Sequence, residues 1–333
     1  MSMTTISEAQ RTADLKKTAE ILKGADNILI LTHKSPDGDT VGSAFALCRA
    51  LIAMNKKAKV VCSDELPEKF GYLYEGMDTC EFEPEFIVAS DIASTDLMGS
   101  VLAPFADKVG LCIDHHPSNG DYAAFTMLDP ASAATCEITA DLIPLLNVEI
   151  DKKIAECLYT GLATDTGCFR YSNTSSRTLR TAALMIDKGA ESAAINKKLF
   201  ETLSRARMDF ERMALESIEY HFGGKAALIT ITREMEEKTG VSDSDTDGIP
   251  ALPAKIEGVQ AGITLKEKKD GGYKISLRTG STLNASQICA KLGGGGHAAA
   301  AGCRIEGTLE EAKKTILEAV GQEIAKVYGG SEK

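Results

Sequence analysis

Residues 111–118 read LCIDHHPS, an apolar run that ends in Asp114, His115 and His116. Short apolar runs bounded by turn or charged residues are typical of buried strands, so this run is predicted to be a strand. The chain has only five histidines, and two of them stand side by side where the strand ends. Imidazole and carboxylate groups together bind metal ions or transfer protons. The stretch therefore predicts a chemically active site at one edge of a sheet.

The sequence on either side of this run alternates between strand-like and helix-like stretches from Asn27 to about Gly189. A predicted helix, Val41–Met54, follows the first strand. The predicted strands are Asn27–Thr32, Lys59–Cys62, Phe86–Ser90 and Val109–Ile113. This alternation predicts an α/β domain with a mainly parallel sheet flanked by helices. Ligands of such sheets bind beyond the carboxyl ends of the strands.

The remainder of the chain predicts a helical connector and a smaller α/β domain. Residues 176–220 are compatible with helices, and their predicted core-facing stripe is Leu179, Ala183, Met185 and Ile186. Later strand signals are Ala226–Thr232, Gln260–Leu265 and Tyr273–Leu277. The last two, with Gly271 and Gly272 between them, predict a hairpin. We expect a catalytic domain over 1–190, a connector over 191–221 and a smaller domain over 222–333.

Composition and charge limit the class of protein. With 333 residues, 44% hydrophobic and 26% charged, the chain has the composition of a folded protein of about two domains. The net charge of −11 argues against sequence-independent binding of long nucleic acid such as duplex DNA, which needs a broad basic surface. The nine cysteines form no CxxC pair, and the sequence shows no signal peptide or membrane-spanning run. We expect a cytoplasmic protein with reduced thiols that does not bind membranes.

Ligand-type side chains follow several predicted strands. A further run, Ile154–Ala163, is interpreted as another strand, and it leads into Asp165. Together these segments supply six candidate metal ligands: His33, Asp37, Asp39, Asp91, His115 and Asp165. Imidazole and carboxylate without thiolate suit manganese, magnesium or iron better than structural zinc. Six ligands exceed the needs of one catalytic ion, and they suit two ions about 3.5–4 Å apart that share a bridging carboxylate.

Each of these residues has a structural interpretation when it is taken alone. Asp37, Gly38 and Asp39 are typical of a tight turn, which would send one carboxylate to each ion. Asp91 or Asp165 alone would be typical of a helix cap. The convergence of four separate segments on one sheet edge favours the metal site.

Four motifs resemble those of the DHH phosphoesterase family. They are HKSPDGDTVGS at 33–43, ASD at 89–91, IDHHPS at 113–118 and ATDTG at 163–167. The resemblance covers most of residues 25–190. It implies that one ion is bound by His33, Asp37 and Asp91. It implies that the other ion is bound by Asp39, Asp91, His115 and Asp165, so that Asp91 bridges.

The resemblance also implies catalytic roles for the two remaining residues of the Asp-His-His triplet. Asp114 would orient a histidine, since ligating histidines need a fixed ring. His116 would contact the scissile phosphate as a donor. The expected cofactors are two divalent ions, with Mn²⁺ preferred and Mg²⁺ or Co²⁺ as alternatives.

Residues 291–297 read KLGGGGH, a glycine run inside the second domain. Ordering four glycines costs conformational entropy, and such runs are usually flexible linkers. Here the run follows a helix-like stretch, which predicts a loop whose backbone amides approach a phosphate. GGGGHAAAAG at 293–302, together with SLRTG at 276–280, resembles the DHHA1 domain that accompanies DHH domains. The resemblance implies that the part of the substrate remote from the metals is held by Arg278, Gly294, Gly295, Gly296 and His297.

The two-domain length and the GGGGH motif are similar to those of the stand-alone bacterial branch of this family. Its members hydrolyse short oligoribonucleotides to mononucleotides and 3′-phosphoadenosine 5′-phosphate (pAp) to AMP. The resemblance therefore implies a two-metal phosphodiesterase and 3′-nucleotidase that acts on short RNA, pAp or dinucleotides. Two alternatives stay open: a soluble phosphodiesterase for cyclic or linear dinucleotides, and a non-catalytic nucleotide-sensing module, which a missing metal ligand would favour. The sequence also leaves a homodimer open.

Overall fold

The protein is described by a computed structural model that covers residues 6–77, 81–242, 246 and 248–329. The chain divides into two compact units, residues 1–202 and 203–333. The division falls inside the stretch predicted as a connector, 191–221. That stretch contains the helices Ser192–Asn196 and Arg205–Glu216, but it ends in a strand, Glu219–His221. The helices, predicted to extend to residue 220, end at Glu216.

The first unit contains a parallel sheet with the strand order β2-β1-β3-β4-β5. The strands are β1 (Ile28–Leu31), β2 (Ala58–Val61), β3 (Phe86–Ser90), β4 (Leu111–Asp114) and β5 (Thr126–Leu128). Four of them lie where apolar runs predict strands, and the short β5 is not predicted. Ile28 and Ile30 face one buried core, whereas Leu29 and Leu31 face the other. Since both faces are covered, the strands read as continuous apolar runs, and the predicted α/β architecture is confirmed.

Helices cover this sheet. They are α1 (Glu8–Gly24), α2 (Gly38–Ala53), α3 (Gly71–Tyr74), α4 (Gly99–Leu102), α5 (Thr135–Leu145), α6 (Lys152–Asp165), α7 (Ser176–Asp187) and α8 (Ser192–Asn196), with 3₁₀ turns at Glu68–Phe70, Thr95–Met98 and Ala103–Lys108 and a π turn at Lys197–Glu201. The backbones of α2 and α6 touch: a Cβ on Gly42 would lie 2.4 Å from the carbonyl oxygen of Cys157. A Cβ on Gly161 would lie 2.6 Å from Asp39 Oδ1. Glycine at both positions therefore lets Asp39 lie against α6.

The run Ile154–Ala163, predicted to be a strand, lies within α6, so that prediction is wrong. Every residue of the run is buried. A short apolar run that is buried throughout cannot be assigned to a helix or a strand from its pattern alone. Asp165 therefore lies at the end of a helix rather than at the end of a strand.

The core-facing stripe predicted for α7 is also wrong. Leu179 and Ile186 are exposed by 52% and 47%, and of the four stripe residues only Met185 is buried. The buried face of α7 includes Thr178 instead. This polar residue can be buried because its hydroxyl donates a hydrogen bond to Glu137 at 2.8 Å.

The second unit contains a mixed sheet with the order β10-β11-β9-β8-β7-β6. Its strands are β6 (Glu219–His221), β7 (Ala226–Ile231), β8 (Ala261–Glu267), β9 (Tyr273–Thr279), β10 (Gly295–His297) and β11 (Ala300–Ile305). Its helices are α9 (Arg205–Glu216), α10 (Arg233–Thr239), α11 (Ala285–Ala290) and α12 (Leu309–Tyr328), with a 3₁₀ helix at Ile249–Lys255. The predicted hairpin of β8 and β9 is confirmed by their antiparallel pairing. Among the described helices of both units, none is long and apolar enough to span a membrane.

Candidate metal centre

Three strands of the first sheet end at one edge and are followed there by predicted ligands. His33 follows β1, Asp91 directly follows β3, and His115 directly follows β4. The strands are parallel neighbours in the order β1-β3-β4, so their carboxyl ends are adjacent. The predicted location of these three residues agrees with the structure.

Asp37 and Asp39 lie at the beginning of α2. The Asp37 side chain caps the helix, because its Oδ1 accepts hydrogen bonds from the amides of Asp39 (3.0 Å) and Thr40 (3.1 Å). Gly38 is required between the two carboxylates, since a Cβ there would lie 2.5 Å from the side chain of Thr164. The turn predicted for these residues is therefore the first turn of a helix. Asp39 is fully buried, whereas the Asp37 side chain is half exposed.

The six candidate ligands form two clusters, and in each cluster the ligand atoms lie within 4.8 Å of one another. The first cluster consists of His33, Asp37 and Asp91, and the second of Asp39, His115 and Asp165. In the first cluster, His33 Nε2 lies 3.6 Å from Asp37 Oδ1. In the second, His115 Nε2 lies 3.3 Å from Asp165 Oδ2 and 3.9 Å from Asp39 Oδ2.

Asp91 faces both clusters. Its Oδ2 lies 3.7 Å from His33 Nε2, and its Oδ1 lies 3.7 Å from His115 Nε2. Its backbone has a φ of 61°, a left-handed conformation that costs a residue with a side chain about 1–3 kcal/mol. The amide is held there by a 2.9 Å hydrogen bond to the carbonyl of Ile113. One carboxylate oxygen toward each cluster is the arrangement that a bridging ligand needs.

Both histidines present one ring nitrogen to the carboxylates. His33 Nδ1 donates to the carbonyl of Lys34 at 2.8 Å, and His115 Nδ1 donates to the carbonyl of Ser132 at 3.2 Å. A carbonyl only accepts, so Nδ1 carries the hydrogen and Nε2 points at the cluster. Among the described residues, His115 Nε2 is buried without a hydrogen-bond partner. Such an orphaned nitrogen among carboxylates fits a metal ligand whose other nitrogen is fixed by a backbone oxygen.

The carboxylates outnumber the imidazoles and shift their protonation. Burial alone would lower the pKa of His33 and of His115, but the neighbouring carboxylates raise it to about 11 and about 10. Burial is the main cause that raises the pKa of Asp39 well above its ordinary range. The negative charges of Asp91 and Asp165 raise it further. The site therefore holds more negative charge than its imidazoles balance, and divalent cations relieve such repulsion.

The amino end of α5 contacts the clusters through residues that the sequence does not predict. The amides of Thr135 and Cys136 donate to the two oxygens of Asp39, at 2.6 Å and 2.9 Å. The Thr135 hydroxyl donates to Asp91 Oδ1 at 2.8 Å. Unpaired amides at the start of a helix attract carboxylates. The one sequence signal for this contact is a polar turn at 129–132 before the apolar helix.

Asp114 is fully buried and contacts His116. Its Oδ1 accepts from His116 Nδ1 at 2.8 Å, and its Oδ2 accepts from Asn119 Nδ2 at 2.6 Å. Burial would raise the pKa of Asp114, but these hydrogen bonds outweigh it and lower the pKa. The His116 side chain is 40% exposed. Asn119 is a further residue that sequence reasoning missed.

The glycine run of the second unit is not the loop that its sequence predicts. Gly295 to His297 form the edge strand β10, which is exposed and pairs with β11. A Cβ on Gly294 would lie 2.2 Å from the carbonyl oxygen of Gly302, and Gly296 has a φ of 143°. The fold itself therefore requires glycine at these two positions.

Arg278 and His297 lie in register across three neighbouring strands of the second sheet. Arg278 of β9 pairs with Ala300 of β11, which pairs with His297 of β10. Residues that pair directly across neighbouring strands point to the same face. The structure thus places Arg278 and His297 on one face with a small alanine between them. Their role in substrate binding stays a prediction.

Known protein families match the two units of the chain separately. The family model of the DHH family, N-terminal domain, matches residues 27–162, and that of the DHHA1 domain matches residues 219–326. The chain is 34% identical to the bifunctional oligoribonuclease and PAP phosphatase NrnA of Thermus thermophilus, over 94% of this chain and 95% of the relative. It is 25% identical to the cyclic-di-AMP phosphodiesterase PdeA of Listeria monocytogenes, over 90% of this chain and 48% of that protein.

A solved structure is also similar to this chain over nearly its whole length. The crystal structure of an exopolyphosphatase-related protein from Bacteroides fragilis has a TM-score of 0.83 and 26% identity, and the match covers 95% of this chain and 98% of that chain. The fold and the matches place the protein among hydrolases of the phosphoesterase class. The chain belongs to the DHH family, with a DHHA1 domain as its second unit. The family predicted from the four motifs is confirmed.

Proposed function

We propose that the protein is a divalent-metal-dependent phosphoesterase that hydrolyses short oligoribonucleotides to mononucleotides and pAp to AMP. The observation that carries this proposal is the Asp91 carboxylate, whose two oxygens each lie 3.7 Å from a histidine of a different cluster. The relative from Thermus thermophilus, which is similar over nearly its whole length, is named an oligoribonuclease and PAP phosphatase. The full set of six ligand-type residues favours turnover over a nucleotide-sensing role.

Two divalent ions would be held by the two clusters with Asp91 between them, one by His33, Asp37 and Asp91 and the other by Asp39, Asp91, His115 and Asp165. Imidazole and carboxylate donors favour Mn²⁺, with Mg²⁺ or Co²⁺ as alternatives. When bound, such a pair supplies Lewis acidity and a nucleophilic water at neutral pH. The protein contributes the fixed positions of the six side chains.

His116 would bind the phosphate that reacts. Its Nδ1 is held 2.8 Å from the buried carboxylate of Asp114. The hydrogen bond to Asp114 raises the pKa of His116, so its ring stays cationic over a wider pH range. The exposed ring can then donate a charge-assisted hydrogen bond to a phosphate oxygen where negative charge develops.

The second unit would bind the part of the substrate that is distant from the reacting phosphate. Arg278 and His297 offer a cation and an imidazole on one face of the sheet, on either side of Ala300. Gly294 and Gly296 shape the strand beside them. Gly295 differs from both, because a Cβ there would meet no atom within 4 Å. Its lack of a side chain matters only if a ligand approaches its backbone.

A phosphodiesterase that prefers cyclic or linear dinucleotides is the second candidate. The observation that favours it is the similarity to the cyclic-di-AMP phosphodiesterase PdeA over 90% of this chain. The same clusters and the same His116 would act in both reactions. The two candidates therefore differ in substrate preference alone, and a direct comparison of substrates decides between them.

One set of assays tests the proposal. The purified protein with Mn²⁺ is incubated with diribonucleotides, pAp, cyclic dinucleotides and pyrophosphate. We expect diribonucleotides and pAp to be hydrolysed, and excess chelator to abolish both reactions. Faster turnover of a cyclic dinucleotide would support the second candidate. Absence of turnover on all nucleotides, with or without metal, would contradict both.

A variant of Arg278 tests the role of the second unit. Loss of a charge-assisted contact of about 1.5–3 kcal/mol predicts that Arg278→Ala raises KM for diribonucleotides and pAp by roughly 10–100-fold. Hydrolysis of bis-p-nitrophenyl phosphate, which carries no nucleotide, should change little. Lys274→Ala is the matched control, because Lys274 is an exposed cation on the same strand. Equal losses on both substrates would show that Arg278 supports folding instead.

Gly295→Ala gives a second test of the same site. The substitution should leave the melting temperature unchanged, because the added Cβ meets open space. If a phosphate or base lies against the backbone of β10, KM for diribonucleotides should nevertheless rise. An unchanged KM would remove Gly295 from the binding site.

A further inference from the structure

The segment from Asp129 to Cys136 runs from the end of β5 into the first turn of α5 and supplies none of the candidate metal ligands. Its backbone nevertheless contacts the second cluster. The carbonyl of Ser132 accepts the Nδ1 hydrogen bond of His115 at 3.2 Å. The last two amides of the segment donate to Asp39 at 2.6 Å and 2.9 Å. The orientation of both ligands thus depends on where this segment lies.

The same segment is connected to the third member of the second cluster. Asn173 Nδ2 donates to the carbonyl of Ala133 at 3.2 Å and to the carbonyl of Asp165 at 3.1 Å. One side chain therefore joins the segment to the end of α6, which carries the Asp165 carboxylate. All three residues of the second cluster are in this way tied to the Asp129–Cys136 segment.

Arg177 on α7 contacts the segment at two points and the residue that follows it at a third. Its Nη2 donates to Asp129 Oδ2 and to Ser132 Oγ, both at 2.9 Å. Its Nε donates to Glu137, the residue after the segment. The side chains of Asp129 and Glu137 are 1% and 0% exposed, so both carboxylates are shielded from solvent. The planar guanidinium, with donors in a fixed fork, joins the beginning and the middle of the segment to the residue that follows its end.

The rest of this buried network is also paired. Arg11 Nε donates to Asp129 Oδ2 at 2.6 Å, and the amide of Ala133 donates to Glu137 Oε2 at 3.2 Å. Buried ion pairs contribute little net stability, because the cost of desolvating the charges offsets their attraction. Replacing buried ion pairs by well-packed apolar residues of similar volume is often neutral or stabilising. Unlike apolar side chains, the ion-pair network fixes the position of the segment through directional hydrogen bonds.

We propose that Arg177 is a positioning residue for the second cluster: it fixes the Asp129–Cys136 segment and, through that segment, the ring of His115 and the carboxylate of Asp39. This inference rests on the proposed role of the clusters as a metal centre. In the part of the chain that the structure describes, Arg177 hydrogen-bonds to Asp129, Ser132 and Glu137 rather than to a candidate ligand, so it acts on metal binding through the backbone of the segment. The first cluster should depend on it less, because His33 is oriented by the neighbouring Lys34 carbonyl and Asp37 by amides of its own helix. Of its three members, the shared Asp91 contacts the segment, through the Thr135 hydroxyl.

The test is a titration of the full chain with Mn²⁺ by calorimetry, with wild type, Arg177→Met, Arg177→Lys and Arg180→Met. Arg180 is an exposed arginine on the same helix and serves as the control. In Arg177→Met we expect one of two Mn²⁺ sites to weaken by about 10–100-fold, as for other residues that orient a metal ligand. Arg177→Lys should also weaken it, since an ammonium cannot reproduce the fork. Arg180→Met should bind both ions as wild type does.

Two further measurements separate positioning from general destabilisation. Added guanidinium should restore the affinity of the weakened site in Arg177→Ala, whereas urea should not. The weakened site should be the one that His115→Ala weakens, so the double variant Arg177→Met/His115→Ala should show no further loss. Wild-type affinity at both sites in a folded Arg177→Met overturns the proposal. If that variant does not fold, wild-type affinity in Arg177→Lys overturns it. A wild-type protein that binds no Mn²⁺ contradicts the proposed metal centre instead.

Discussion

The two clusters are built from the same kinds of side chain but are held in different ways. In the first cluster, His33 is oriented by the carbonyl of Lys34 and Asp37 by amides of its own helix start. In the second cluster, His115 and Asp39 are oriented by the distant residues Ser132, Thr135 and Cys136. Apart from the shared Asp91, which Thr135 and Ile113 contact, the first cluster is thus fixed by local sequence, whereas the second is fixed by tertiary packing. Substitutions away from the ligands should therefore affect the second cluster more.

The largest effect is expected from the residue that the clusters share. Asp91→Asn should weaken both ions and reduce turnover of diribonucleotides by more than about a hundredfold, since changes beside a ligand alone cost roughly 10–100-fold. His33→Ala should weaken one ion and His115→Ala the other. Calorimetric titration with Mn²⁺ measures each case. Loss of only one ion in Asp91→Asn would mean that this carboxylate belongs to a single cluster.

His116 should separate chemistry from metal binding. His116→Ala should keep both ions, because the second cluster is complete without it, while kcat falls by about 10²–10³-fold through the loss of a donor to the developing charge. Steady-state kinetics and Mn²⁺ calorimetry on the one variant measure the two quantities. Equal weakening of an ion in His116→Ala and His115→Ala would contradict this division of roles.

The pH dependence of stability should report the two histidines. Their pKa values in the metal-free fold, about 11 for His33 and about 10 for His115, lie above the value of about 6.5 expected in the unfolded chain. The stabilisation is therefore complete below about pH 6.5 and is lost as the pH rises toward 10–11. The melting temperature of the metal-free protein should fall over this range, and His33→Gln/His115→Gln should flatten the fall. Parallel curves for both proteins would contradict the assignment.

The smallest effect is expected from the hydroxyl that joins α5 to the shared carboxylate. Thr135→Val removes the 2.8 Å hydrogen bond to Asp91 but leaves the backbone amides on Asp39 in place. A hydrogen bond to a charged group contributes about 1.5 kcal/mol, which corresponds to about tenfold in Mn²⁺ affinity. Thr139→Val, on the same helix, is the matched control, because its hydroxyl donates to the carbonyl of Thr135 at 3.0 Å rather than to a candidate ligand. A Thr135→Val protein with wild-type affinity would show that the α5 contact does not tune the metal centre.

The sequence predicts the strand-end part of the site well for a physical reason. Buried parallel strands are short apolar runs, so a polar residue directly after one marks the sheet edge. His33, Asp91 and His115 are placed correctly on this basis. Asp165 lies beside Asp39 and His115 as expected but is assigned to the wrong element, because a short buried apolar run does not distinguish a helix from a strand.

Contacts that depend on backbone atoms or on distant segments could not be predicted. The amides of Thr135 and Cys136 that bind Asp39 carry no side-chain signature. The buried face of α7 contains two threonines, and one of them, Thr178, bonds Glu137 from another helix, so hydrophobic periodicity selects the wrong face. Gly295 and Gly296 of the glycine run pair as part of β10, and Gly294 lies where two backbones touch, neither of which the sequence alone reveals.

The central claim is that Asp91 joins two ion sites, and electron paramagnetic resonance of Mn²⁺ tests it most directly. Two Mn²⁺ ions about 3.5–4 Å apart with a shared carboxylate are spin-coupled, so their spectrum differs from that of isolated ions. We expect the coupled spectrum when two equivalents of Mn²⁺ are added to the wild-type protein, and its loss in Asp91→Asn. Two bound but uncoupled ions in the wild type, or a coupled pair that survives in Asp91→Asn, would contradict the account.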